Sequence, residues 1–443
     1  MISGELLHYV AVLVILAVVV CVIVFPLSSV IIFNSIYIVK PIARVFMPAL
    51  LYSYTYDMFT LCMGYLGAAT LWIKNTPGSV KMRPFPIFVM LFIIFMLAVG
   101  LLNTRVPEFG LKKFLIFSVF NFLSLLLPMV LVRNISVAND ILKWFLIFGL
   151  LLPFIMMIPG VSMQGMSARS TVLGANPLAP AELMNCALLI LIVRLLLKPS
   201  KKTVTLSILF IPLLIFSIAK TGSRGPLLSS AILTIGLVGI YSRRRVFLIS
   251  IVSLVIGIGS YLVLSQFLPE NLAIRFSKEK SACSMEYRLQ LTRITVLRMF
   301  RNPIMGNGPG DSAMDVGESD QQGYAHTVVL EVFDEAGIPG GILYFLMFVN
   351  AFSVGIKAVR SNPIGSSRKI IALTFVILLA GKFIESFKTG SYAGSNLLYF
   401  LLGCLFAVGN TVTQKKSEEG SLKHRPTEIF IRLGGAIGRI NAK

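Results

Sequence analysis

Charged residues are scarce in this 443-residue chain, at 13% of the sequence, whereas 56% of its residues are hydrophobic. Soluble proteins carry charge on about a quarter of their residues. A water-soluble fold of this length would have to hide more apolar surface than its interior can hold. The composition therefore excludes a soluble enzyme, a disordered chain and a secreted disulfide scaffold. It predicts an all-α fold, a polytopic bundle of transmembrane helices.

Cysteine and histidine are also scarce, with five and three residues respectively. Four of the cysteines lie in apolar stretches and no two share a CxxC spacing, so the sequence indicates neither a zinc site nor a disulfide framework. The histidines, His8, His326 and His424, are far apart in the sequence and offer no cluster for a metal. We therefore expect a protein without a metal and without a cofactor.

Apolar runs of membrane-spanning length recur along the chain, whereas strand-like alternation and a regular repeat are both missing. We expect about 12 to 13 spans from these runs. The first run lacks a basic n-region and a small-residue cleavage site, so it is interpreted as a span and not as a signal peptide. The predicted spans are 6–25, 28–39, 47–73, 86–102, 113–132, 141–158, 178–197, 203–219, 226–241, 246–265, 328–356, 369–387 and 393–410.

Basic residues indicate the orientation of this bundle in the membrane. The spans and loops together divide the chain into four regions. The C-terminal tail is basic, which places it in the cytoplasm by the positive-inside rule. Counting back through the spans puts short, mostly basic loops inside and the longest loop outside. The four predicted regions are an N-terminal bundle at 1–265, an outer loop bearing the site at 266–327, C-terminal transmembrane helices at 328–410 and the tail at 411–443.

Basic residues outnumber acidic ones by 40 to 19, a net charge of +21. Inner loops and the tail account for much of this excess, so it does not indicate a nucleic-acid partner. The remainder lies on the predicted outer face, against the usual bias, and favours binding of a phosphate-bearing lipid, because arginine binds phosphate oxygens bidentately. These outer bases are Arg169, Lys220, Arg224, Arg275, Lys278, Lys280, Arg288, Arg293, Arg298 and Arg301.

Charge is polarised within the outer loop. Residues 270–301 include seven bases and three acids, whereas 311–320 hold four acids and no base. The first stretch contains a predicted helix over 287–301 with Arg288 on one face, and a flexible glycine turn follows it at 306–310. A divalent cation bound by the acidic stretch stays open as an alternative to a solvated acidic loop.

Four residues of the outer face carry candidate chemistry. Arg169, Arg224 and Arg288 come from three different loops that can converge on one phosphate group. Arg224 precedes a span whose N-terminus adds partial positive charge. His326 stands at a helix start, where a near-neutral imidazole can take a proton from a sugar hydroxyl. Taken singly, each arginine is more typical of anchoring to lipid headgroups, and the histidine of a structural role.

Four motifs occur in an order that resembles the bacterial O-antigen ligase and polymerase superfamily. Two positions differ from the family pattern, with Thr327 and Leu178 where asparagine is usual. The motifs are Arg169-x4-Gly-x-Asn176-Pro177, Thr221-Gly-Ser-Arg224-Gly, Arg288 followed by Pro303-x2-Gly306-x-Gly308-x-Gly310, and His326-Thr-x2-Leu330-Glu331 followed by Glu335-x-Gly337-x2-Gly340.

The resemblance implies a multi-pass glycosyltransferase of the bacterial cytoplasmic membrane, with its site on the periplasmic or extracellular face. It implies an undecaprenyl-diphosphate-linked glycan as donor, a glycan or lipid as acceptor, contact with membrane lipids, and a chain-length regulator or flippase as partner protein. The resemblance assigns diphosphate binding to Arg169, Arg224 and Arg288, base catalysis to His326, and supporting roles to Gly306, Gly308, Gly310 and Glu331.

We expect metal-independent, inverting polymerisation of O-antigen, capsule or exopolysaccharide. An O-antigen ligase that transfers the glycan to lipid A-core is the alternative, and a lipid or solute transporter is the alternative from another class. A transporter is disfavoured by the missing inverted repeat and the long outer loop. Within one span, Lys382 and Glu385 are three residues apart, so we expect them to pair and fix helix packing.

Overall fold

The computed structural model describes residues 83–157, 162–164, 170–172, 178–241, 278–312, 327–388 and 390–423, with a few shorter stretches between residues 19 and 70. Helices dominate this part of the chain, which confirms the all-α prediction. They are α1 Pro84–Gly100, α2 Pro107–Leu115, α3 Phe122–Leu131, α4 Ile135–Ile155, α5 Leu178–Leu197, α6 Lys201–Lys220, α7 Arg224–Tyr241, α8 Lys278–Met299, α9 Val328–Glu335, α10 Gly337–Arg360, α11 Ser367–Ser386 and α12 Asn396–Lys423.

Two irregular elements accompany these helices. A π-helical turn, Ile116–Asn121, joins α2 to α3 into one continuous rod. A short antiparallel ribbon pairs β1, Ser162–Gln164, with β2, Ser170–Val172. The ribbon lies in a predicted outer loop and leaves the helical architecture unchanged.

Membrane-spanning character is clear for six helices. Each has at least 18 residues and a strongly apolar window, and α1 and Asn396–Thr411 are shorter apolar helices. Helix α11 has 20 residues but carries four charged side chains. The predicted spans 28–39 and 246–265, and most of 6–25 and 47–73, lie outside the described residues. The six are Pro107–Leu131, Ile135–Ile155, Leu178–Leu197, Lys201–Lys220, Arg224–Tyr241 and Gly337–Arg360.

One predicted span is divided in the structure. The apolar run at 328–356 forms α9 and α10, which are separated at Ala336. Gly337 has φ +74°, and a β-carbon there would lie 2.2 Å from the carbonyl oxygen of Ile304. The close approach of the Ile304 backbone therefore sets the break, and α9 stands apart from the candidate span that follows it.

Helix α5 lies at the centre of the bundle. It is the most enclosed of the candidate spans, with 83% of its apolar window buried, and it contacts α4, α6, α7 and α11. Gly149 of α4 allows the closest approach, because a β-carbon there would lie 2.4 Å from the Ala187 β-carbon. Small residues permit such contacts between membrane helices.

The two ends of the bundle are tied by different contacts. At the predicted cytoplasmic end, Arg83 Nε donates to Asn410 Oδ1 at 2.6 Å and joins α1 to α12. At the other end of α1, Gly100 meets Gly308 of the glycine turn. The start of α1 and the turn thus lie at opposite ends, as the predicted topology requires.

Candidate functional site

Helix α8 carries Arg288 on the predicted face. Leu291 and Thr295 are buried, Arg288 lies one turn before them, and Arg298 continues the same stripe one turn after them. Arg288 is half-buried, whereas Arg298 is only 2% exposed. The helix is longer than the predicted 287–301 segment, since it begins at Lys278.

Arg298 is held by two carboxylates. Its Nη2 donates to Asp311 Oδ2 at 2.5 Å, and its Nε lies 3.4 Å from Asp334 Oδ2. Asn307 Nδ2 donates to Asp334 Oδ1 at 2.7 Å and to the Arg298 carbonyl oxygen at 3.1 Å. We name these four residues the Arg298 cluster. Burial raises the pKa of Asp334 to about 6, against the opposing attraction of Arg298.

The Arg298 cluster corrects two sequence-based interpretations. Arg298 counted among the outer bases expected to meet a lipid phosphate, but its buried pairing makes it a tie between α8 and α9. Asp311 counted among the ligands of the alternative cation site, but Arg298 occupies it. The other three acids of that stretch, Asp315, Glu318 and Asp320, lie outside the described residues.

The glycine turn is buried and not open. Gly306, Gly308 and Gly310 have φ of +76°, +89° and +82°. Built β-carbons would lie 2.4 Å from the Glu335 carbonyl oxygen, 2.2 Å from the Gly100 carbonyl oxygen and 2.8 Å from a ring carbon of Phe109, respectively. The turn therefore fastens α8 to α1, α2 and α9, because only glycine fits these backbone contacts.

Lys113 of α2 binds the two glutamates of α9. Its Nζ lies 2.6 Å from Glu331 Oε1 and 2.5 Å from Glu335 Oε1, and neither carboxylate is exposed. Ser391 Oγ and the Tyr392 N–H donate to Glu331 at 3.0 and 2.8 Å. These residues, together with Ser312, which binds Glu335 as described below, form the Lys113 cluster: Lys113, Glu331, Glu335, Ser312, Ser391 and Tyr392.

Glu335 completes the Lys113 cluster. Ser312 Oγ donates to its Oε1 at 2.8 Å, and Tyr392 Oη donates to its Oε2 at 2.7 Å. Glu331, predicted as a supporting residue, therefore joins α9 to α2 and to the loop before α12. Sequence reasoning missed Lys113 and Tyr392. The available signal was two glutamates four residues apart in an apolar helix, which require a buried base.

A third polar group lies between α5, α7 and α11. Lys382 Nζ contacts Glu182 closely and lies 3.5 Å from Glu385 Oε2, which confirms the predicted pairing and adds an unpredicted partner. Glu385 Oε1 accepts from Asn185 Nδ2 at 2.9 Å and from Ser229 Oγ at 3.0 Å. We name these five residues the Lys382 cluster. It joins three helices beside the first turns of α7.

The remaining predicted residues lie at the starts of helices or outside the described residues. Arg224 is exposed and is the first residue of α7. His326 lies outside the described residues, directly before Thr327, the residue that precedes α9. Arg169 also lies outside them, directly before β2. The structure brings the glycine turn, Glu331 and the helix of Arg288 together, while Arg224 lies beside the Lys382 cluster.

The six membrane-spanning candidates define a multi-pass membrane protein. Residues 208–345 match the family model described as O-antigen ligase, which confirms the predicted resemblance to the O-antigen ligase and polymerase superfamily. The matched region indicates a membrane glycosyltransferase of the ligase or polymerase type. It contains Arg224, Arg288, the glycine turn, His326 and Glu331. No curated protein matches the chain.

Proposed function

We propose that this protein polymerises surface polysaccharide on the outer face of the bacterial cytoplasmic membrane, using undecaprenyl-diphosphate-linked oligosaccharide as donor. The carrying observation is that Arg224, Arg288 and His326 fall in this order within the region matched to O-antigen ligase. Arg224 is the first residue of α7, and His326 stands two residues before α9 in the sequence. A β-carbon built on Gly225 of α7 would lie 3.9 Å from Glu385 Cγ, and one built on Gly390 would lie 3.9 Å from Val328 Cγ2 of α9. That proximity supports one site shared by the arginines and the histidine.

The arginines act on the leaving group in this mechanism. Arg169, Arg224 and Arg288 bind the donor diphosphate and neutralise the charge that develops as the sugar–phosphate bond breaks. Fixed guanidinium groups supply this stabilisation without a metal. The departing undecaprenyl diphosphate retains the electron pair of the broken bond.

His326 acts on the acceptor. Its imidazole takes the proton of the acceptor hydroxyl while that oxygen attacks the anomeric carbon from the face opposite the diphosphate, so the anomeric configuration inverts. The Lys113 cluster and the glycine turn fix α9, which begins two residues after His326. The helix that follows the histidine in the sequence is therefore anchored.

Substitution of His326 tests the base. In proteoliposomes supplied with lipid-linked oligosaccharide, we expect His326→Ala to lose chain growth by at least about a hundredfold, the usual contribution of a general base. Donor binding should persist, because the arginines are intact. His424→Ala in the tail is the matched control and should leave both unchanged. Full activity of His326→Ala would disprove the role of the base.

Substitution of Arg288 tests the diphosphate site. Arg288→Lys retains the charge but loses the bidentate fork, so donor turnover should fall about tenfold. Arg293→Lys is the control, since Arg293 lies on the exposed face of the same helix. Equal turnover of both variants would remove Arg288 from the site.

The acceptor separates polymerase from ligase and from transporter. With lipid-linked oligosaccharide alone, a polymerase forms longer lipid-linked chains, whereas a ligase forms product only after lipid A-core is added. A transporter moves the donor across the bilayer and forms neither product. Appearance of longer chains without lipid A-core is the result that the proposal requires.

A further inference from the structure

The last turn of α8 and the turns that follow it expose a group of large apolar side chains. Leu297, Phe300 and Ile304 are 61%, 68% and 67% exposed, and Met305 is 47% exposed. We name residues 297–305 the apolar segment. A dense group of exposed apolar side chains marks a surface that contacts a membrane or a partner protein. The segment belongs to the predicted outer loop, where these side chains would otherwise face water.

Helix α10 gives the depth of the apolar segment relative to the membrane. The basic residues of its last turn, Lys357 and Arg360, mark the cytoplasmic boundary by the positive-inside rule. The stretch 337–356, which precedes Lys357, rises about 30 Å at 1.5 Å per residue, and this is the thickness of the hydrocarbon core. Gly337 therefore lies at the outer edge of the hydrocarbon.

Two backbone contacts fix the apolar segment at this edge. The Ile338 N–H donates to the Pro303 carbonyl oxygen at 2.8 Å. A β-carbon built on Gly337 would lie 2.2 Å from the Ile304 carbonyl oxygen, so these two backbones are in direct contact. Because the first residues of α10 lie at the edge of the hydrocarbon, Pro303 and Ile304 lie there as well. Exposed apolar surface continues from this level along α10, at Ile342, Phe345, Leu346 and Val349.

The turns after α8 suit this position because hydrogen bonds within the protein satisfy part of their backbone. A loop that meets lipid cannot bond its N–H and C=O groups to water. The Arg301 N–H donates to the Arg298 carbonyl oxygen, and the Gly306 N–H to the Asn302 carbonyl oxygen, both at 2.9 Å. Arg298 is buried and Arg301 is exposed, and the sequence of the apolar segment contains no acidic residue. An exposed base among apolar side chains is typical of a segment at the level of the lipid headgroups.

We propose that the apolar segment inserts into the outer leaflet of the bilayer, with its exposed side chains among the acyl chains just below the phosphates. The inference goes beyond the proposed function, because it concerns how α8 is held at the membrane. The end of α8 is then anchored on two sides, by the Arg298 cluster on its buried side and by lipid on its exposed side. This anchor keeps the helix that carries Arg288 at the membrane surface.

Tryptophan fluorescence of the full-length protein in vesicles tests the insertion. The chain has two tryptophans, Trp72 and Trp144, so their replacement by phenylalanine leaves Phe300→Trp as the only indole. In vesicles of phosphatidylcholine and phosphatidylglycerol, we expect brominated acyl chains to quench its emission. Bromine near the headgroup should quench more strongly than bromine near the chain end. Ile304→Trp in the same background is the second probe and should give the same order.

Two controls calibrate the depth. Trp144, retained in Trp72→Phe, lies about 14 Å along the span Ile135–Ile155 and is 41% exposed, so bromine near the chain end should quench it best. Glu286→Trp is the matched control on α8. Glu286 is exposed and lies about 21 Å from Phe300 along the helix, so its replacement should stay accessible to iodide in water and be quenched little by brominated lipid.

Three results would overturn the proposal. The first is unchanged emission of both Phe300→Trp and Ile304→Trp in brominated vesicles. The second is equal quenching of Glu286→Trp and Phe300→Trp with the same depth order, which would mean that α8 meets lipid along its whole length and has no inserted end. The third is protection of Phe300→Trp from iodide only at high protein density, which would mean contact with a second copy of the chain.

Discussion

The Lys113 and Lys382 clusters have the same types of charged residue but differ in how completely they are buried. Each contains one lysine and two glutamates. Lys113 is 5% exposed and both of its glutamates are fully buried, whereas Lys382 and Glu182 are 13% and 16% exposed. In the Lys113 cluster every carboxylate oxygen has a donor. The Lys113 cluster therefore fixes α9, whereas the more exposed Lys382 cluster joins the helices beside Arg224.

Removal of each lysine gives the largest expected contrast. Lys113→Met leaves two fully buried carboxylates without a cation, so the free energy of unfolding should fall by about 3 kcal/mol or more. Lys382→Met should cost less, about 2 kcal/mol, because water can reach Glu182. SDS titration of the protein in bicelles measures both values.

An exposed ion pair is the control for the two lysines. Lys143 lies 2.7 Å from Asp140 on α4, with 55% of its side chain exposed. Lys143→Met should change the free energy of unfolding by no more than about 0.5 kcal/mol. A larger loss for Lys382→Met than for Lys113→Met would reverse the comparison.

The glycine turn packs against α9, as the Lys113 cluster does. Addition of a single methyl group to the turn tests how closely it is packed. Gly308→Ala places a β-carbon 2.2 Å from the Gly100 carbonyl oxygen at a φ of +89°. Left-handed strain and overpacking together should lower the free energy of unfolding by about 3 kcal/mol. Gly365→Ala separates the two causes, because Gly365 has φ +84° and no atom within 4 Å of a built β-carbon. It should cost only about 1 kcal/mol, and equal losses would show that the contact with α1 contributes nothing.

The helices and the local pairs were predictable from the sequence. Apolar runs place spans because length and hydropathy are local properties of the chain. Lys382 and Glu385 are three residues apart, so helical periodicity alone brings them together. The buried face of α8 follows from the same periodicity.

The buried clusters and the break before α10 were not predictable in the same way. Lys113 and Glu331 are 218 positions apart, and no local pattern joins them. Arg288 and Arg298 share one helical stripe, and only the packing of α9 shows that Asp334 lies beside Arg298. Gly337 stands inside the predicted span 328–356, and its close contact with Ile304, which accompanies the division into α9 and α10, joins residues that are distant in the sequence.

The smallest expected effect concerns the Ser229 hydroxyl, which joins α7 to Glu385 of the Lys382 cluster. Ser229 Oγ donates to Glu385 Oε1 at 3.0 Å, one turn after the start of α7. Ser229→Ala should lower the free energy of unfolding by about 1 kcal/mol, within the range for hydrogen bonds between membrane helices. Ser230→Ala is the matched control, because the Ser230 hydroxyl donates only to the Leu227 carbonyl oxygen of its own helix. If the Lys382 cluster holds α7 beside α11, Ser229→Ala should also raise the donor KM, whereas Ser230→Ala should not. A loss of stability with an unchanged KM would separate the Lys382 cluster from the binding of the donor and restrict it to helix packing.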